Sequence, residues 1–475
     1  MCAIKCPQNA SHPAAVHPVS DTIAALATPL GEGGLAVLRV SGPAAFTIVD
    51  ACFRPAGPLH RKPSAAPSHT VHYGHVEWAG RVLDDVLISV FRGPRSFTGE
   101  DTVEISCHGG VLITRLVLEA LLGAGARAAE PGEFTQRAFL NGRIDLAQAE
   151  AVADLIHART ELALGVARQQ LAGRLSARIR TLRDGLMNLL AHVEAHLDFP
   201  DEDIAPDTGA ALRRRIHVSL ELLDELLRTA PEGQLLRRGL RAAIIGRPNA
   251  GKSSLLNVLL GHDRAIVSPV AGTTRDTIEE TANVRGLPVV FVDTAGLRDA
   301  ADALEVEGIR RSRAAADRAE LLLHVLDASE VLHPEDAARL TEFAARPRLL
   351  VLNKSDLPRR LVLPADAVGT TTVVEVACTT GAGVEALKDA LKAAVWRGGV
   401  GSEALEVAIN ARHQDALTRA RAALQRADQA WQAQVTLECI AADLRLAVTA
   451  VGEVVGATST EDLLDRIFST FCLGK

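Results

Sequence analysis

At 475 residues the chain exceeds what one hydrophobic core organises, so several domains are expected. Hydrophobic residues make up 48% and charged residues 23%, the balance of a globular protein, and no apolar run approaches the ~18–20 residues of a membrane helix. The net charge of −7 argues against indiscriminate nucleic-acid binding. Cysteines that are scattered and odd in number, behind a start without an apolar core, argue for reduced thiols in a cytoplasm.

Residues 1–20 hold Cys2, Cys6, His12 and His17 without compact ligand spacing, and read as a disordered leader rather than a metal site. From 21 to 140, short β-type runs (LAVLRVSG, VLDDVLISVFRG, DTVEISCHGG) alternate with Gly and Pro, and one helical pattern, VLITRLVLEALLGAG, follows. That is an α+β domain. Cys107 beside His108 looks like a nucleophile pair, yet neighbours on a strand point to opposite faces, so both are read as structural.

Residues 141–238 are almost wholly helical in pattern, the first part of a helical-bundle domain, with LDFPDEDIAPDTG as an inter-helix loop. Arginine clusters at Arg213, Arg214 and Arg215, and at Arg237, Arg238 and Arg241, read as solvated helix faces. From 239 to 397 strands alternate with helices: RAAIIG, LPVVFVDTAG, ELLLHVLDAS, PRLLVLNKSD and TVVEVACTTG. This predicts an α/β domain with a mostly parallel sheet covered on both faces. Residues 398–475 return to helix, over Ala411–Ala433, Leu437–Val451 and Thr460–Phe471. All-α regions on either side of a complete α/β unit indicate insertion of one domain into another.

GRPNAGKSS, Gly246 to Ser254, follows an apolar strand and opens a helix, the context in which G-x-x-x-x-G-K-[ST] cradles phosphate. Lys252 is placed for the terminal phosphates and the Ser253 hydroxyl for Mg²⁺. AGTTRD supplies Thr273 and Thr274, of which a hydroxyl can complete the Mg²⁺ shell; Thr274 is the expected ligand. In DTAG the Asp293 carboxylate supports the metal and the Gly296 N–H meets the γ-phosphate. In NKSD, Asp356 can accept from guanine N1–H and the exocyclic amine, donors adenine lacks, so the base should be guanine. The expected GTP contacts are Asn249, Ala250, Gly251, Lys252, Ser253 and Ser254, then Ser268, Pro269, Val270, Ala271, Gly272, Thr273 and Thr274. Asp293, Thr294, Ala295 and Gly296 follow, then Asn353, Lys354 and Asp356, and last Ala377, Cys378 and Thr379.

Where many GTPases carry a water-orienting glutamine after DTAG, this chain has Leu297, whose side chain neither donates nor accepts. Catalysis must borrow positive charge, for which a monovalent cation is a candidate, and a carboxylate from beyond the loop. Glu305 and Glu307 are the nearest, and both also read as solvated acids at a helix start.

The chain resembles the MnmE (TrmE) family of tRNA-modifying GTPases from Asp21 to Lys475. The resemblance rests on DTIAALATPLGEGGLAVLRVSG, SFTGEDTVEISCHGG, EPGEFTQRAFLNGRIDLAQAEAVADLI, GRPNAGKSS, AGTTRD, DTAGLR and the terminal FCLGK. It implies an N-terminal tetrahydrofolate-binding, dimer-forming domain and a helical domain carrying a Ras-like P-loop GTPase domain as an insertion. It also implies K⁺-stimulated GTP hydrolysis, a homodimer whose GTPase domains meet across the cation, and a heterotetramer with the FAD-dependent partner MnmG. The implied product is an aminomethyl or carboxymethylaminomethyl group at C5 of the wobble uridine of certain tRNAs, the carbon coming from 5-formyl- or methylene-tetrahydrofolate.

Carried over residue by residue, the resemblance implies K⁺ ligands at Asn249, Ser268, Val270 and Thr273, a water-activating acid at Glu305, and folate contacts at Arg39, Glu104, Arg143 and Lys475. Where the family has an SA pair, this chain has Ala377-Cys378; a hydroxyl that would brace the guanine loop is missing, which predicts weaker nucleotide binding. Cys472 stands four residues from the end, but Gly474 and Lys475 do not suit prenylation. If the tail packs at the folate site, Cys472 is a catalytic thiol for carbon transfer, with Lys475 lowering its pKa. The competing reading is a regulatory or ribosome-assembly GTPase whose N-terminal domain only docks partners.

Overall fold

The computed structural model describes residues 21–198, 206–261, 279–292, 313–364, 368–396, 407–458, 460–472 and 474–475. They fall into two compact units. One joins the N-terminal segment through Ala153 to Arg178–Asp201 and Ala433–Lys475; the other joins Asp154–Ala177 to Glu202–Gln432.

In the first unit the strands are β1 (Ile23–Leu26), β2 (Gly33–Ser41), β3 (Phe53–Pro55), β4 (Thr70–Trp78), β5 (Arg81–Phe91), β6 (Thr102–Gly109) and β7 (Arg127–Ala128). Among the described residues they form one sheet in the order β3-β4-β5-β6-β2-β1-β7, antiparallel except where β7 runs parallel to β1. Period-two alternation sends Leu38, Val40, Ile88, Val90, Val103, Ile105 and Cys107 into a core shared with Val117, Ala120 and Leu121 of helix Val111–Gly123. The other face leaves Leu35, Val71, Tyr73 and Leu87 exposed.

Strands β1, β3, β4 and β7 and helices Ala45–Cys52 and Glu133–Leu140 escape the sequence reading. Strand β4 turns His72, Gly74 and Val76 inward, so its buried face carries one aliphatic residue among polar and small ones and its alternation is weak. Helix Ala45–Cys52 is rich in β-branched residues, but Ala45, Phe46, Ile48, Val49 and Cys52 are all buried, and packing overrides propensity. Helix Leu437–Val455 runs four residues past the expected end, because Gly452 is an interior residue packed against Thr458 and Arg183; the stop is Gly456, at φ 80°. The last helix, Glu461–Phe468, ends earlier than expected.

In the second unit β8 (Leu240–Ile245), β9 (Glu280–Val284), β10 (Leu287–Phe291), β11 (Leu321–Asp327), β12 (Arg348–Asn353) and β13 (Val373–Val376) lie in the order β13-β12-β11-β8-β10-β9. All pairs are parallel except the β9–β10 hairpin at one edge, which is the mostly parallel sheet expected. Alternation splits the central strand: Ala242 and Ile244 pack with helices Lys252–Leu260 and Val384–Val395, while Ala243 and Ile245 pack with Ala315, Ala316 and Phe343 on the other face. Helix Pro206–Arg228 begins inside the stretch read as a loop, with proline at its first position, where a missing N–H costs no hydrogen bond. Ala163, with Leu162 and Val166 of helix Glu161–Leu171, packs into the core of this sheet.

Candidate functional site

The loop between β8 and its helix is shaped by backbone that only small residues tolerate. At Gly246, φ is 148° and a Cβ would collide with the Val325 carbonyl of β11; at Gly251, φ is 93° and a Cβ would collide with the Asn353 amide. Asn249 also takes a left-handed φ, 63°. Gly251 caps the helix beginning at Lys252, so Lys252, Ser253 and Ser254 form its first turn, where backbone N–H groups face outward for an anion. The Lys252 ammonium donates to the Arg247 carbonyl at 2.8 Å. Burial, with the Arg339 guanidinium nearby, pushes it down to about 8, Asp336 opposing.

Asn353, 2% exposed at the end of β12, ties two loops together. Its amide donates to the Ala250 carbonyl at 2.9 Å, and its Oδ1 accepts from the Cys378 N–H at 3.3 Å. Lys354, at φ 61°, reaches Asp327 at 2.5 Å. Burial raises the Asp327 carboxyl, yet hydrogen bonds from Lys354 and Ser329 outweigh it and hold the group below its ordinary value. Asp356 lies exposed beyond them. Ala377 lacks the expected hydroxyl, and two residues later Thr379 Oγ1 donates to Asp356 Oδ2 at 2.9 Å. Burial, with Asp356 adding, pushes the Cys378 thiol above its ordinary value.

These residues, with Ala377 on an isolated bridge to Ala382, come together at the carboxyl ends of the parallel strands, where open α/β sheets place ligands. Ser268, Pro269, Val270, Ala271, Gly272, Thr273, Thr274, Asp293, Thr294, Ala295, Gly296, Leu297, Glu305 and Glu307 lie outside the described residues.

A second constellation stands in the first unit. Arg39 on β2 and Glu104 on β6 are register partners, and Arg39 Nε and Nη2 donate to Glu104 Oε1 at 2.9 and 2.7 Å. The guanidinium lies 5.4 Å from the Phe97 ring centroid and 5.5 Å from that of Phe134, within cation–π range of both. The chain's last residues reach this pair. Gly132 N–H donates to the Cys472 carbonyl at 3.4 Å and Phe134 N–H to the Lys475 carbonyl at 3.2 Å. Gly474 is buried at φ 88° with no room for a side chain, its Cβ position being 2.8 Å from Ala27 Cα. Burial, with Arg39 adding, pushes the Lys475 ammonium below its ordinary value, Glu104 and Cys472 opposing. Cys472 itself is exposed.

Arg143 is exposed against Gly99 and makes no side-chain hydrogen bond or ion pair among the described residues. Cys107 is buried, which raises its thiol to about 11, while His108 points out and meets Asp84 at 2.6 Å. That separation matches the reading of the two as structural.

Sequence reasoning passed over the charges that hold the tail's receptor. Arg137, 1% exposed, donates to Asp21 at 2.7 Å, Glu133 at 2.9 Å and Glu100 at 3.3 Å, while Arg127 donates to Glu133 at 2.5 Å and Asp21 at 2.6 Å. The four-residue spacing of Glu133 and Arg137 was a visible signal; the partners Asp21 and Glu100 were not. Also missed was Arg247, whose guanidinium stands 3.4 Å from Glu330 and 3.7 Å from Asp336.

Among the described residues no His, Cys, Asp and Glu cluster could hold a metal, and no helix is long and apolar enough to cross a membrane. The leader cysteines and histidines lie outside the described residues.

The family profile described as MnmE helical domain matches residues 146–472, and that of the GTP-binding protein TrmE N-terminus matches residues 22–143. The chain is 44% identical over 460 residues to a tRNA modification GTPase MnmE of Geobacillus kaustophilus, covering 96% of this chain and 99% of the relative. A protein of the same description from Chloroflexus aurantiacus is 47% identical over 461 residues, covering 96% and 100%. One from Akkermansia muciniphila is 47% identical over 464 residues, covering 96% and 99%.

Proposed function

The chain belongs to the MnmE family of tRNA modification GTPases, and from that premise we propose that its GTP hydrolysis, stimulated by K⁺, drives carbon transfer to tRNA. The proposed reaction places an aminomethyl or carboxymethylaminomethyl group on C5 of wobble uridine. The carbon comes from 5-formyl- or methylene-tetrahydrofolate, and the work is shared with the FAD-dependent partner MnmG in a cytoplasmic heterotetramer built on a homodimer. The proposed domain order is a leader over 1–20, a folate-binding and dimerising domain over 21–140, and a helical domain over 141–238 and 398–475 that carries the GTPase over 239–397. The exposed sheet face bearing Leu35, Val71, Tyr73 and Leu87 supports dimerisation through the first of these.

At the nucleotide end, Lys252 exchanges its carbonyl partner for the β- and γ-phosphates, which restores the favour of the charged ammonium that burial removes. Asp356 accepts from guanine, and Asn353 keeps its loop and the phosphate loop in one piece. Asn249 and Ser253 stand on the phosphate loop where oxygen ligands to K⁺ and Mg²⁺ belong; the hard donor types suit both ions, and the remaining ligands fall in the switch segments. Those ions supply charge to offset that of the transferring phosphoryl group. Glu305 is the proposed water-activating acid, in the role that the Leu297 side chain cannot fill.

At the other end, Arg39 and Glu104 offer a guanidinium and a carboxylate to a folate's acid and amine groups, with Lys475 and Arg143 adding positive charge. Cys472 is the proposed nucleophile. The observation that carries this reading is the seating of the tail: Gly132 and Phe134 hold Cys472 and Lys475 in the same unit as the Arg39–Glu104 pair.

The test is reconstitution. Purified protein, MnmG, a tetrahydrofolate donor, FAD, GTP and unmodified tRNA should yield modified wobble uridine by mass spectrometry, with GTP hydrolysis faster in K⁺ than in Na⁺. GTP turnover without modified uridine would favour the regulatory reading, and equal rates in the two salts would remove the cation site.

A further inference from the structure

The turn after β13 departs in sequence from the pattern its family resemblance predicts, and its geometry compensates. Ala377 presents only a methyl group. Its N–H donates to the Ala382 carbonyl at 2.9 Å and its carbonyl accepts from Gly381 N–H at 2.8 Å. Gly383, at φ 77°, has no space for a Cβ against the Glu375 carbonyl, and Cys378 N–H is held by Asn353 at 3.3 Å. The turn is therefore pinned on both sides, and pinning it aims the next hydroxyl, that of Thr379, at Asp356 Oδ2, 2.9 Å away. Asp356 is exposed, and Thr379 is its side-chain hydrogen-bond partner among the described residues. A carboxylate has about four lone-pair sites. The threonine hydroxyl takes one of them, on Oδ2, and leaves the others for a ligand.

We propose that Thr379 is a specificity-determining positioning residue: its hydroxyl fixes the Asp356 carboxylate so that both guanine donors, N1–H and the 2-amine, are met together. The inference rests on the reading of Asp356 as the guanine acceptor. An unfixed carboxylate can still meet one donor but loses order in meeting two, so the 2-amine's contribution should shrink first. Inosine triphosphate, which lacks that amine, isolates the effect.

The experiment measures the dissociation constants of GTP and inosine triphosphate for the full-length protein and for Thr379→Val, Thr379→Ser and Ala377→Ser/Thr379→Val. Thr379→Val should weaken GTP about tenfold and inosine triphosphate distinctly less, compressing their ratio. In turnover the loss should fall on KM rather than kcat. Thr379→Ser should keep the wild-type ratio, and a serine at 377 should restore it in the valine background. Equal weakening of both nucleotides, or no weakening, would overturn the proposal, since a hydroxyl that only stiffens the turn cannot tell one base from the other. The underlying reading is checked separately by Asp356→Asn. If the wild type does not prefer GTP over inosine triphosphate and that variant leaves base preference unchanged, the guanine reading fails and the proposal with it.

Discussion

The phosphate loop takes its residues from one uninterrupted stretch between β8 and its helix, whereas Arg39, Glu104, Cys472 and Lys475 are drawn from both ends of the chain. In the first case local backbone does the positioning, through left-handed glycines and a helix start. In the second, nothing local suffices: a β-ladder pairs two residues, a buried charge network shapes the receptor, and the tail is seated by backbone hydrogen bonds. A site coded in sequence order needs few distant residues, here Asn353 against Ala250 and Gly251 and Val325 against Gly246. One assembled from remote segments depends on side chains that never touch a ligand.

The sharpest way to break this contrast is at Arg137. Removing a guanidinium that is 1% exposed leaves Asp21, Glu100 and Glu133 without it, so Arg137→Ala should cost about 3–5 kcal/mol in denaturant unfolding of the first unit. GTP binding should persist under conditions where the first unit is still folded; a negligible loss would mean the network is ornamental. Acid should act on the same network. Interactions with Arg127 and Arg137 outweigh burial and hold the Asp21 and Glu133 carboxyls below their ordinary 3.8 and 4.5. Their stabilisation is thus complete above those values and lost as pH falls through the lower folded ones, so unfolding monitored below pH about 4 should be steeper in wild type than in the variant.

Next in size is Gly251→Ala. The added Cβ meets Asn353 in a backbone at φ 93°, which should cost up to about 3 kcal/mol, or about a hundredfold in GTP affinity by calorimetry, with folate binding untouched. The mirror experiment, Gly474→Ala, should displace the tail for about 1–2 kcal/mol, weakening folate binding about tenfold while leaving GTP affinity alone. Crossed effects in either variant would erase the distinction between the two sites.

The same distinction explains what could be read from sequence. Strands β8, β10, β11, β12 and β13 were legible as apolar runs, and the motifs after β8, β12 and β13 follow those runs directly. Strand β4 and helix Ala45–Cys52 were not, because packing against distant partners, not their own periodicity, decides them. Thr379 shows the limit at a site: the missing hydroxyl at 377 was visible in the letters, but its replacement depends on the turn's path in space. Cys472 and Lys475 drew attention as an odd tail, and Gly474 explains their placement, since only a glycine passes so close to Ala27.

The measurement that bears most directly on the account is tRNA product formation by Cys472→Ser in the complete reconstituted reaction, with GTP hydrolysis followed in the same tubes. The account predicts hydrolysis at the wild-type rate and modified wobble uridine reduced to background. Wild-type levels of modified uridine from the serine variant would contradict it.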